Sequence, residues 1–564
     1  MAKVDGGRLF AKALKKEGVE QIFCLAGGHI MSLFYGCRAE GIKVIDVRHE
    51  CAGAYAADAY ARVTGKPGVI VTTAGPGITD TITAMAEAKL QGVPVIHIGG
   101  ASPFKENDTG PLQDMNTLEI LSTCTKWARK IYQIERIPEY VSMAFRHAMD
   151  ATPGPVYLEC PMDVMVTATI DEENVYFPEK YRTEALPFGD PDLIEKAADM
   201  LINAERPAMV IGDVARFSAQ YGESIAELVD YLKIPVMCQT MPRGLFANEE
   251  TNPLFKLGSG ALSAADVVLM LSVNNDYRVG KARPPMFNKD AKLIQVHPDV
   301  TKIGYNAPAE IGIVGGAGPV AKQILEAVKA KTAKKEDMTW INEVQERAKA
   351  VAKPWMEGFT AEGTPMHPGR CAYEVAKFLN TEGKDWTVVC DGGDAAQWIK
   401  TAATARRPGQ IINYGPLGTI GTGAGFTLGA WAANGKPVLY YTGDGSFGFY
   451  PMEFDTFVKQ GVPVVCVISN DSSWGMIKLS ETFIHPDEVK KGHVATELAH
   501  MRRYDKIPAM WDGYGELVTK PEDIIPAIKR GYESGKPAII NVQVDKENMS
   551  PVTKSFGAPF LKKK

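Results

Sequence analysis

Two apolar runs in the last third of the chain each stop abruptly at an acid. Residues Val438 to Thr442 are apolar, aromatic or β-branched and end in Gly443, Asp444, Gly445 and Ser446. Residues Val462 to Ser469 end in Asn470 and Asp471, ahead of Ser472, Ser473, Trp474 and Gly475. Near-continuous apolar runs of this length read as strands buried on both faces, and such strands belong to parallel sheets covered by helices. If the two are neighbours, Asp444 and Asp471 meet at one edge of the sheet although they lie far apart in sequence. Hard oxygen ligands placed so suit Mg²⁺, which keeps near-octahedral geometry and shares its ligands with phosphate groups. The glycines allow backbone amides to approach a phosphate closely. Asp-Gly and Asn-Asp are also ordinary turn formers; what favours the ligand reading is that each pair closes an apolar strand.

Composition narrows the class. At 564 residues the chain is too long for one core and divides into three or four units of about 150 residues. Lys and Arg number 62 against 67 Asp and Glu, so no basic surplus points to a nucleic-acid partner. Apolar runs such as Val267 to Leu271 fall far short of the ~20 residues a membrane span needs, and the amino terminus lacks the build of a signal peptide. The nine cysteines are scattered without metal-ligand spacing, several within apolar strands. They read as reduced core residues of a cytoplasmic protein.

Strand-like and helix-like segments alternate throughout, which predicts α/β architecture with three doubly wound parallel-sheet domains. The expected divisions are a first domain over 1–185, a central one over 186–345, a linker over 346–365, a last domain over 366–545 and a tail over 546–564. An internal echo supports duplication of the two end domains: Gln91 to Val95 and Gln460 to Val464 share the sequence Gln-Gly-Val-Pro-Val, each entering an apolar run. Similar closing strands follow, at Pro153 to Glu159 and Lys536 to Val542. The tail from Ser550, with Phe556, Phe560 and three closing lysines, reads either as a lid or as a disordered end.

Glu50 is the second chemical landmark. It follows the strand-like Lys43 to Val47 and opens an alanine-rich helix that stops at Thr64 and Gly65. Among small apolar neighbours its carboxylate is buried and needs a partner; the plainer reading is an acid favoured by the helix macrodipole.

Arg48-His49-Glu50, Ala59 to Arg62, Gly75 to Thr79, Lys126 to Ala128, Gly415 to Gly418 and the Asp444/Asp471 pair together resemble the decarboxylase and lyase branch of thiamine diphosphate (ThDP) enzymes. That branch includes benzaldehyde lyase, acetolactate synthase and the 2-hydroxyacyl-CoA and oxalyl-CoA lyases. The resemblance implies a pyrimidine-binding first domain, a central domain and a diphosphate-binding last domain. It implies ThDP and Mg²⁺ as cofactors, with Asp444, Asp471 and the Ser473 carbonyl on the metal. It places Glu50 on N1′ of the aminopyrimidine, Ile420 beneath the cofactor, and Thr73, Pro76, Ala395, Gly418, Gly445, Ser446, Gly475 and Met476 along it. It further implies a homodimer as the smallest active unit, and commonly a homotetramer, because cofactor halves come from two subunits.

Benzaldehyde lyase offers the nearest overall pattern, through His29, Glu50, Gln113 and Lys126-Trp127. His29 and Gln113 are then the polar groups expected to act on substrate, in a pocket shared with Gly28, Gln397, Tyr414 and Met476. Tyr414 and Gln397 depart from that family's aromatic-substrate residues, and Met476 narrows the pocket. Acetolactate synthase is the main alternative, but Ala395-Ala396 replace its His-Gln pair and its flavin-contacting glycine stretch has no clear counterpart around Lys256 to Ala261, so FAD is not expected. Arg283 to Phe287 and Ile303 to Asn306 are similar to 2-hydroxyacyl-CoA lyases. The reading is a carbon–carbon lyase or carboligase for small 2-hydroxy ketones, aldehydes or 2-keto acids, working through a C2 carbanion and an enamine. A non-catalytic ThDP-binding subunit is disfavoured by Glu50, since mere binding needs no tautomer switch.

Overall fold

Apolar runs flanked by prolines and glycines resolve into three parallel sheets in a computed structural model that describes residues 3–183 and 185–555. The chain forms two compact units. One is built from Met1–Ala185, Tyr414–Gly435 and Tyr450–Gly461; the other from Leu186–Asn413, Lys436–Phe449 and Val462–Lys564.

The first unit holds a six-stranded sheet ordered Lys43–Asp46, Gln21–Cys24, Gly68–Thr72, Val95–Ala101, Val156–Pro161 and Trp127–Lys130, all parallel. The second unit holds another, ordered Ile411–Asn413, Thr387–Cys390, Val438–Gly443, Val464–Asn470, Ala538–Gln543 and Tyr514–Val518. Counted in chain order within each sheet, both run 2-1-3-4-6-5. The sequence echo falls on the fourth strand of each and the closing segments on the sixth, so the repeat occupies the same topological places in both sheets. The fourth strands begin just after Pro94 and Pro463, at Val95 and Val464, one and two residues later than the apolar runs suggest, because a proline lacks the N–H a ladder needs.

A five-stranded parallel sheet occupies the central third of the chain, in the order Val236–Cys238, Pro207–Ile211, Val267–Leu271, Lys292–His297 and Ile311–Val314. A small antiparallel ribbon, Lys3–Asp5 with Thr169–Asp171, is an addition the sequence pattern does not announce. The amphipathic segment after the central sheet is one helix, Thr339–Phe359. Of the tail, Phe556 and Phe560 lie outside the described residues. Up to Ser555 the tail is held by Asp394, whose Oδ1 accepts from Ser550 N–H (2.9 Å), Ser550 Oγ (2.6 Å) and Thr553 Oγ1 (2.5 Å).

Within the first unit the helix Glu50–Thr64 packs against the helix Gly423–Asn434. The approach is close because glycines stand where side chains would collide with backbone: a Cβ on Gly425 would lie 2.4 Å from Ala52 O, and one on Gly429 2.0 Å from Ala56 O. Tyr55 and Phe426 meet edge to face beside this seam. Intrinsic helix propensity favours Ala over Gly by up to about 1 kcal/mol. We expect Gly429→Ala nonetheless to destabilise the protein, by about 1–3 kcal/mol, since the helices must separate. Denaturant unfolding that shows no loss would refute the seam.

Candidate active site

In the second unit Gly443 pairs with Ser469, so Asp444 and Asp471 emerge from the carboxyl ends of adjacent parallel strands. Asp444 is almost fully buried. Burial, and then the Asp471 charge, push its carboxyl well above the usual range; burial also pushes Asp471 upward. Neither acid forms an ion pair among the described residues, and Asp444 Oδ2 is buried without a hydrogen-bond donor. The loop beyond is tightly formed: Ser473 N–H donates to Asp471 Oδ1 (2.9 Å) and Ser472 N–H to Asn470 Oδ1 (3.1 Å). Leu498 N–H takes the Ser472 carbonyl and Trp474 N–H donates to Thr496 O, which leaves the Ser473 carbonyl outside that ladder. Gly445 and Gly475 cannot carry side chains here, since a Cβ on either would lie 2.7 Å from the Trp474 ring or 2.6 Å from Asp471 Oδ2. Ser446 faces the turn after Thr387–Cys390, where a Cβ on Gly392 would come within 3.1 Å of its Oγ. Ala395 and the buried Gln397 lie on the following helix, Gly393–Ala402, and Met476 packs on Gly393 at its start.

The first unit gathers a second set. Glu50 is the first residue of its helix and is buried. Its carboxyl is raised, chiefly by burial and further by Asp80, against its own backbone N–H and His49, which lower it. His49, Glu50 and Asp80 bring ligand atoms within 4.8 Å of one another. Beyond Gly77, whose ideal Cβ would sit 3.4 Å from Glu50 Oε1 and 2.9 Å from Thr73 Cγ2, lies a polar trio. His29 Nδ1 is 2.9 Å from Thr73 Oγ1, and Thr73 Oγ1 donates to Gln113 Oε1 at 3.4 Å. Gln113 is held at φ 62°, which aims its side chain back toward Gly75 and away from the exposed Leu112. Pro76 opens the short helix Pro76–Thr79, and no heavy atom outside its neighbours stands within 4 Å of where a Gly28 Cβ would be. Tyr414, Gly418 and Ile420 also belong to this unit, on the loop before Gly423–Asn434.

The sequence itself is similar to known proteins. Three models match: the N-terminal TPP binding domain of thiamine pyrophosphate enzymes over residues 4–120, their central domain over 194–324, and their C-terminal TPP binding domain over 391–542. A probable acetolactate synthase of Mycobacterium bovis is 32% identical over 96% of this chain and 96% of its own length. The chain belongs to the thiamine pyrophosphate enzyme family. Among other relatives, a 2-hydroxyacyl-CoA lyase 2 of Danio rerio is 28% identical over 96% of this chain and 92% of its own, and a human 2-hydroxyacyl-CoA lyase 1 is 26% identical over 96% and 95%. As a thiamine pyrophosphate enzyme the protein takes ThDP and acts on a small molecule. No helix among the described residues is long and apolar enough to cross a membrane.

The residues present fit the diphosphate end of that cofactor. A buried carboxylate oxygen without a donor calls for a cation, and loops kept free of Cβ atoms leave backbone amides open to an anion. The sequence reading missed Asp80, Glu87, Asp394 and Glu453, buried or clustered acids whose partners lie in distant segments. His29 is held neutral by burial, which lowers its pKa from 6.5. A buried neutral histidine takes up its proton more readily in the unfolded chain, so stability is lost as pH falls below about 6.5. Urea unfolding at pH 7.5 and 5.5 should show a smaller acid-side loss in His29→Gln than in the parent; equal losses would show that His29 titrates freely.

Proposed function

We propose that this thiamine pyrophosphate enzyme is a Mg²⁺-dependent carbon–carbon lyase or carboligase acting on small 2-hydroxy ketones, aldehydes or 2-keto acids. The observation that carries the proposal is the pairing of the buried Asp444, whose Oδ2 lacks a donor, with the part-buried Asp471 at adjacent strand ends, neither in an ion pair among the described residues. ThDP, when bound, supplies an electron sink next to the substrate carbonyl carbon. Asp444, Asp471 and the Ser473 carbonyl hold Mg²⁺ and, through it, the diphosphate, with Gly445, Ser446, Gly475 and Ala395 around it. Glu50 holds a proton at N1′ of the aminopyrimidine; its raised affinity for protons suits it to giving and taking one. Gly418 and Ile420 shape the cofactor's bend, while Thr73 and Pro76 border the pyrimidine. His29 and Gln113 orient a substrate carbonyl oxygen, and Gly28, Gln397, Tyr414 and Met476 bound the pocket. The working unit is a homodimer or a homotetramer of such dimers, placed in the cytoplasm, and FAD has no part in this reading.

A second reading is condensation of two 2-keto acids with loss of CO₂, which the 32% identity to a probable acetolactate synthase favours. Cleavage of a 2-hydroxyacyl-CoA is the third, favoured by the lyase relatives.

Asp444→Ala should weaken Mg²⁺-dependent ThDP binding at least about 100-fold, since a metal ligand is lost. The apo variant should be no less stable than the parent, because removing one of two repelling buried acids relieves the other. Calorimetry with unchanged ThDP affinity would defeat the metal assignment.

Substrate class is tested by assaying acyloin, acetolactate and acyl-CoA products side by side. Short aliphatic acyloins should be cleaved or formed much better than benzoin, and Met476→Ala should shift preference toward aromatic aldehydes by about tenfold, the scale of one or two methylene-sized steps. Efficient benzoin turnover by the parent with no gain in Met476→Ala would show the pocket to be elsewhere. Acetolactate or acyl-CoA products alone would establish the second or third reading.

A further inference from the structure

Two fully buried glutamates lie on corresponding helices of the duplicated halves of the sequence, about one turn apart when Gln91 is set on Gln460. Glu87 lies on the helix Ile82–Gln91, which leads into the fourth strand of the first sheet; Glu453 opens the helix Glu453–Gln460, which leads into the fourth strand of the other six-stranded sheet. Both belong to the first unit, and so do the segments they grip.

Each uses both carboxylate oxygens. Glu87 Oε1 accepts Gly415 N–H, and its Oε2 accepts Thr419 Oγ1 (3.0 Å). Glu453 Oε1 accepts Arg48 N–H (2.9 Å) and His49 N–H (3.0 Å), while its Oε2 accepts Thr456 Oγ1 (2.7 Å). The gripped segments are again equivalent, each following the second strand of a six-stranded sheet, Ile411–Asn413 in one case and Lys43–Asp46 in the other. Each grip ends one residue before a side chain assigned to the cofactor: Thr419 precedes Ile420, and His49 precedes Glu50. Burial raises both carboxyls, Glu453 to about 7; against that, the N–H and hydroxyl groups they accept and the nearby Arg48 and Arg62 favour the ionised forms. Arg48 pairs with Asp455 beside Glu453, and Arg62 is bound to Asp58 (Nη2 to Oδ2, 3.0 Å).

We propose that Glu87 and Glu453 are positioning residues, which fix the Tyr414–Ile420 loop and the Arg48–Glu50 turn and so set Ile420 beneath the cofactor and Glu50 against the aminopyrimidine. The inference rests on the cofactor reading above. It assigns neither glutamate a contact with cofactor or substrate.

The full-length chain, alone and loaded with ThDP and Mg²⁺, tests it with Glu87→Ala, Glu453→Ala and the milder Glu87→Gln, Glu453→Gln and Thr419→Val. In the apo protein, amide hydrogen exchange read by mass spectrometry should rise about tenfold over 414–420 for the Glu87 variants and over 47–50 for the Glu453 variants, each leaving the other segment unchanged. In the loaded protein, exchange of the ThDP C2 proton should slow about tenfold or more, since small misplacements are costly in rate. ThDP affinity, set chiefly by the groups proposed to hold the diphosphate, should stay within about twofold. Should the alanine variants fail to fold, the glutamine variants and Thr419→Val carry the same readouts. Unchanged amide exchange, or parental C2 exchange in a folded variant, overturns the proposal. Glu50→Gln is the control: normal C2 exchange there would defeat the cofactor reading itself, whereas slow exchange there with parental exchange in the clamp variants defeats only the clamps.

Discussion

Two carboxylates that leave adjacent strands side by side, out of water, cannot both be charged at ordinary cost unless a cation joins them. Asp444 and Asp471 are in that position, and the surrounding chain is arranged around them. A Cβ on Gly445 would meet Trp474 and one on Gly475 would meet Asp471, while Asn470 and Asp471 accept the amides of the following turn. These features do little for an empty site. They make sense when a divalent ion and an anionic group restore neutrality, so that ligand binding returns the electrostatic energy that folding leaves unspent.

Duplication explains why the other half of the chemistry sits on a sheet with the same 2-1-3-4-6-5 order. In open parallel sheets ligands gather at the carboxyl ends of strands near the point where strand order reverses. One copy uses those ends for Asp444 and Asp471, the proposed metal ligands. The other uses them for Glu50, Thr73 and the His29 loop, which hold protons and hydrogen bonds. A shared scaffold thus carries two unlike polar sets, and the divergence lies in the loops while the strands stay apolar.

Much of this was legible in sequence because it is local. Asp444, Asp471 and Glu50 each stand where an apolar run stops, and Gly65 closes its helix at φ 76° as a C-cap glycine should. Short strands were not legible: Ile411–Asn413 has three residues, and Tyr514–Val518 includes Gly515 and Glu516 and fully buries only Val518, so neither has the continuous apolar run of a central strand. Glu87, Glu453 and Asp394 escaped notice for a different reason. Their partners are backbone amides or hydroxyls far along the chain, and nothing in the spacing of residues announces a bond from Asp394 to Ser550 or from Glu453 to Arg48. His97 shows the converse, a buried histidine that bonds Thr72 (2.8 Å) and is kept neutral with a pKa near 3, so it belongs to the core.

The acids of the first unit also lie beside the close approach of its helices. The seam sets Gly429 against the Ala56 carbonyl and buries Tyr55, Phe426 and Leu428 around it. A cluster of buried charge borders it. Arg62 stacks over Phe426 at 4.8 Å, pairs with Asp58 and lies near Glu87, so one guanidinium bridges both helices and the carboxylate that grips the loop leading into one of them. Removing any member leaves a charge buried without its partner, which costs far more than the pair contributes. Such a network is poor at adding stability and good at excluding alternatives, and here the excluded alternatives are other placements of the segments that end at Glu50 and Ile420.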